Sequence, residues 1–152
     1  MNRIIMLATL VFTLFLAGAV EAQGNAECEK LEKMFNTSVE TKNGVCKVEI
    51  HRQSIKPTNM GKKLSPEMME LAFHFSFEHK DGQTAVIGEL ALLQEEVNPV
   101  LDELRKGELE VTALHNHMMF EEPRIMYVHF QDLGNLEQQA KAIKAAIDKT
   151  SK

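Results

Sequence analysis

The sequence predicts an α+β domain, a largely antiparallel sheet with helices packed on one face. Three observations lead there. Stretches that alternate with period two occur in neighbouring groups, segments with a single apolar helical stripe separate those groups, and the regular strand-helix-strand rhythm of a parallel doubly wound sheet is missing. The expected order is helix, three strands, helix, two strands, helix. With one stripe per helix, all the helices belong on the same sheet face, which leaves the other face partly free for a partner or ligand.

A chain of 152 residues is the size of one domain. Its 44% hydrophobic and 26% charged content excludes a disordered or collagenous chain. The formal charge of −5 lacks the basic excess that a phosphate backbone demands, so no nucleic-acid partner is expected.

The first segment, 1–22, reads as a secretory signal peptide. A basic start at Arg3 precedes an apolar run from Ile4 to Val20, and Val20-Glu21-Ala22 supplies a small-residue cleavage pattern. No cysteine stands at the cut to carry a lipid, so no membrane anchor is expected after cleavage. The remaining 23–152 form a single domain and keep the charge of −5. Export to the periplasm or the medium gives Cys28 and Cys46 an oxidising setting, where they read as a disulfide. Cys28 shares a helical face with Leu31 and Phe35, and Cys46 a strand face with Val48 and Ile50, so both sulfurs point to the core.

Each element has its own signal. Ala26 to Phe35 carries the first helical stripe, and Val45 to Gln53 alternates as a strand. A less regular stretch through Pro57, Asn59 and Gly61 leads to Phe73, Phe75 and Phe77, three rings on one strand face. Asp81-Gly82 is a hairpin turn before the strand Thr84 to Leu93. Val97, Val100, Leu101 and Leu104 form the second helical stripe, with Pro99 in its first turn and Gly107 as its stop. Leu109 to His117 and Arg124 to Phe130 pair as strands through Phe120-Glu121-Glu122-Pro123. Asn135 caps the last helix, whose stripe is Leu136, Ala140, Ile143 and Ile147.

Chemistry concentrates in Leu114-His115-Asn116-His117 and in Val128-His129-Phe130. Residues two apart on a strand share a face, so His115 and His117 project together as an H-x-H pair. The returning strand brings His129 near Ala113 or Leu114, and an even register would put it on the same face. Glu89 and Glu121 are the nearest carboxylates on either side. Three imidazoles and a carboxylate suit Zn²⁺ first and Cu²⁺ next. The same residues also suit a hydrogen-bonded structural network, or an acid-base pair without a metal. Met118, Met119 and Met126 read as core filling, and His51, His74 and His79 as solvated or satisfied. No Gly-x-Ser-x-Gly or phosphate-cradling loop is present.

The run Gly88-Glu89-Leu90, Glu96-Val97-Asn98-Pro99-Val100, Leu104, Glu110 to His117, Glu121, Pro123-Arg124, Met126-Tyr127 and His129 resembles the LppY/LpqO family of exported bacterial proteins. The resemblance spans most of 23–152 and is strongest from Thr84 onward. It implies the fold unit and a bacterial exported location, and it leaves the mechanism to the residues. Glu89 stands where the family pattern has Asp, which keeps a carboxylate. The lipid-bearing Cys after the signal is missing. Longer members of that family carry two copies of the unit, so a homodimer would supply the missing cover for the free sheet face. The expected function is binding of a transition metal, or of a small-molecule ligand through it, by His115, His117 and His129 with Glu89 or Glu121, catalysis being left open. The alternative is a protein-binding or assembly module with a structural His-Asn-His segment.

Overall fold

A computed structural model describes residues 26–151; the signal peptide expected at 1–22 lies outside them. Helix α1 (26–35) leads into strands β1 (Val39–Lys42) and β2 (Val45–His51), the two-residue strands β3 (Thr58–Asn59) and β4 (Lys62–Lys63), and the long strands β5 (Ala72–Lys80) and β6 (Gln83–Leu93). A 3-10 turn at Gln94–Glu96 starts α2 (Val97–Lys106), followed by β7 (Glu110–Asn116), β8 (Ile125–Gly134) and α3 (Leu136–Ile147). This is the α+β fold that the periodicities predict. The additions are β1 and the β3–β4 hairpin, both built on short turns.

Turn chemistry explains the hairpins. Asp81 and Gly82 have φ of 52° and 82° between the paired Lys80 and Gln83, the mirror-image turn whose twist matches the strands. Asn43-Gly44 does the same between Lys42 and Val45, with φ of 52° and 78°. That Asn-Gly pair is the sequence signal for β1.

The six-stranded sheet runs β1-β2-β5-β6-β8-β7, and every neighbouring pair is antiparallel. One face carries Val48, Phe73, Phe75, Phe77, Val86, Leu90, Val128 and Phe130 into a single core with residues of α1, α2 and α3. All three helices therefore cover this face. Phe35 of α1 meets Phe75 edge-on, with ring centroids 4.8 Å apart. The Cys28–Cys46 disulfide ties α1 to β2 at the floor of the same core. Asn135 caps α3 by accepting from the backbone N–H groups of Glu137 and Gln138.

The opposite face is covered at one end only. Ile55, Met69 and Leu71, from the segment between β2 and β5, pack over Ala91, Ile125 and Tyr127. Arg52 begins that segment and lies buried against Glu96, Nη1 to Oε2 at 2.9 Å and Nη2 to Oε1 at 2.8 Å. Arg52 also donates to the Ala91 carbonyl at 2.8 Å, and Ser151 donates its N–H to Glu96 Oε1 at 2.7 Å. The pair thus anchors the C-terminal end of the described chain. No helix among the described residues is long and apolar enough to cross a membrane.

Candidate functional site

A β-bulge decides which face the histidines occupy. β7 pairs with β8 as Glu110 to Gln131 and Val111 to Phe130, then slips by one residue so that Ala113 faces His129. Had the first register continued, His115 would oppose Met126, which packs against the helix-covered core. The slip at Thr112 sets His115 opposite Tyr127 instead, on the open face. His117 follows, its N–H donating to the Ile125 carbonyl at 3.0 Å.

β6 lies on the other side of β8 and presents Glu89 directly opposite His129. Three predicted site residues therefore meet. His115 Nε2 stands 2.9 Å from His129 Nε2, and Glu89 Oε2 is 3.4 Å from that same His129 nitrogen. The two imidazoles are stacked, with centroids 5.1 Å apart. His115 Nδ1 is 2.9 Å from the Asn116 carbonyl oxygen, a group that only accepts, so the Nδ1 carries the proton and a neutral ring offers its Nε2 lone pair toward His129.

His117 and Glu121 make a separate pair. His117 Nδ1 is 2.7 Å from Glu121 Oε2, and the carboxylate's other oxygen accepts from the N–H groups of Met118 and Ile125, each at 3.2 Å. Glu121 is buried, so these hydrogen bonds replace the water its oxygens give up. Tyr127 lies against both histidines, 6.0 Å from the His115 ring and 4.9 Å from that of His117. Its hydroxyl donates to the Glu70 carbonyl at 2.6 Å. Burial first, and then the charges of Glu89, Glu70 and Glu121, raise its pKa, which keeps the phenol protonated as that donor.

The five predicted site residues thus divide into His115, His129 and Glu89 on the open face, and His117 with Glu121 at the base of the β7–β8 loop. Among the described residues, no three His, Cys, Asp or Glu already stand close enough to clasp one metal ion. Met118 and Met119 are exposed in that loop at 40% and 75%, outside the core that their apolar character suggested, while Met126 packs against it. His74 reads in the sequence as a solvated or satisfied side chain. It stands opposite Glu89 on β5, and the alternation of Phe73, Phe75 and Phe77 into the core already implies that it faces the open side.

The profile of the family described as Domain of Unknown Function (DUF1259) matches residues 29–149. No curated protein and no solved structure matches the chain.

Proposed function

This chain belongs to the family described as Domain of Unknown Function (DUF1259), and we propose that its domain binds a divalent transition metal, Zn²⁺ before Cu²⁺, through His115, His129 and Glu89. The carrying observation is the approach of the two Nε2 atoms to 2.9 Å. Nitrogen lone pairs converging at that distance repel unless a proton or a cation lies between them. Without an ion, an N–H···N hydrogen bond fills this gap; an ion ~2.0–2.1 Å from each nitrogen takes the proton's place after a small ring adjustment. Glu89, next to His129, supplies a negative third donor, and water or a small-molecule ligand completes the shell. Bound Zn²⁺ would lower the pKa of such a water to ~7, so hydrolytic chemistry is within reach of the same atoms.

The LppY/LpqO resemblance, the apolar run in 4–20 and the Cys28–Cys46 disulfide support an exported, periplasmic or secreted setting. The three hydrogen bonds gathered by Glu121 favour a second reading for the other half of the motif. There His117 is a structural peg of an assembly module, and the open sheet face meets a protein partner.

Calorimetric titration of metal-stripped mature protein with Zn²⁺ tests the metal reading. Stoichiometric binding in the wild type and a loss of at least ~100-fold, or ~2.7 kcal/mol, in His115→Ala and His129→Ala are expected. No binding tighter than ~10 μM in the wild type overturns it.

A further inference from the structure

A second set of ligating side chains lies on the same open face, on the adjoining strands β5 and β2. Glu49 and His51 alternate on β2, and His51 Nε2 is 3.0 Å from Glu49 Oε1. His74 of β5 stands directly opposite Glu49, where facing Cβ atoms are ~4.5–5.5 Å apart. Its imidazole is half-buried and has no hydrogen bond or ion pair among the described residues. The three side chains line one groove of about 540 Å³ together with Glu40 and Lys47. Lys47 stands opposite Glu40 across the β1–β2 ladder.

We propose that Glu49, His51 and His74 form a second divalent-cation site, of Zn²⁺ class, distinct from that of His115, His129 and Glu89. Three strand spacings of ~4.8 Å separate β5 from β7, so His74 and His115 serve different ions. The Glu49–His51 pair already stands at contact distance, and binding turns the unpartnered His74 ring toward Glu49, because the three do not yet clasp a common point. Two nitrogens and a carboxylate oxygen leave a fourth position for water, as in an open zinc site. Across four strands, Glu49, His74, Glu89 and His129 form one row of alternating carboxylate and imidazole, with Glu89 of the first site facing His74 of the second. The second site rests on β2 and β5 alone and stands independently of the first.

Zn²⁺ titration of metal-stripped mature protein by calorimetry, with the metal count checked by native mass spectrometry, tests the proposal. The wild type is expected to bind two equivalents, the double variant His51→Ala/His74→Ala one, and His115→Ala/His129→Ala the other one. Glu49→Gln should weaken the second equivalent at least tenfold while leaving the melting temperature unchanged, since the side chain is exposed. Co²⁺ absorption gives a second readout, and only the variants of β2 and β5 should lose this site's bands. Unchanged stoichiometry and affinity in His51→Ala/His74→Ala overturn the second site and leave the first standing. Loss of binding in that variant alone, with His115→Ala/His129→Ala binding as wild type, overturns the first and leaves the second. Weak, non-stoichiometric uptake unaffected by any of these substitutions overturns both.

Discussion

The ring of Phe130 occupies the space that a side chain on Gly88 would need. The two residues are cross-strand partners, and a Cβ at position 88 would fall 2.5 Å from Phe130 Cζ and 2.6 Å from Phe75 Cβ. Gly88 therefore lets β5, β6 and β8 close over the core while its neighbour Glu89 faces the other way. Gly88→Ala is expected to cost ~1–3 kcal/mol through overpacking, and more if the rings cannot move. It should also displace Glu89 and weaken Zn²⁺ binding. Chemical denaturation beside titration checks both, and a variant as stable as wild type would show that the rings give way freely.

Arg52 and Glu96 are buried together, so removing one partner leaves the other as an uncompensated charge. Arg52→Ala is expected to cost ~3–5 kcal/mol. Burial pushes the Glu96 carboxyl up, but its hydrogen bonds from Arg52, Ser151 and Leu93 outweigh burial and hold its pKa below 4.5. A folded pKa below the unfolded one means that the stabilisation is present above the unfolded value and is lost as pH falls through the folded one. Melting temperature should thus drop on acidification below about pH 4.5 more steeply in wild type than in Glu96→Gln. Glu67, Glu103 and Glu137 are lowered too, but their exposure to solvent screens them. Equal slopes in the two proteins would remove this account.

His117 and Glu121 hold the β7–β8 loop, and their substitution should read out as stability. Glu121→Ala leaves the Met118 and Ile125 N–H groups and His117 without their acceptor, for an expected cost of ~1–3 kcal/mol. His117→Ala should cost less, and it should leave Zn²⁺ affinity within about threefold, under ~0.7 kcal/mol. Melting curves run beside calorimetry decide. A tenfold loss of affinity with unchanged stability would move His117 into the ligand set.

Ile87 and Leu133 are 66% and 59% exposed, diagonal neighbours on the open face of β6 and β8. A homodimer that buries them would cover part of this face. Light scattering at micromolar concentration on residues 23–152 should give twice their ~14 kDa, and Ile87→Lys should return the monomer. A wild-type monomer across that range rules the dimer out.

Local periodicity determined much of this protein from the sequence alone. The one-sided stripes of α2 and α3, the Asn135 cap, the Asp81-Gly82 hairpin and the coreward Cys28 and Cys46 each depend on residues a few positions apart. Tertiary structure alone decided that β8 lies on the far side of β6, which sets Glu89 opposite His129 as well as its hairpin partner His74. It alone decided the slip at Thr112 that turns His115 from the Met126 side to the Tyr127 side. It also matched His117 with Glu121, four residues on, through the path of the loop. The reason is that strand order and register are settled by nonlocal pairing and packing, and one residue of slip exchanges the two faces of a strand without disturbing its own alternation.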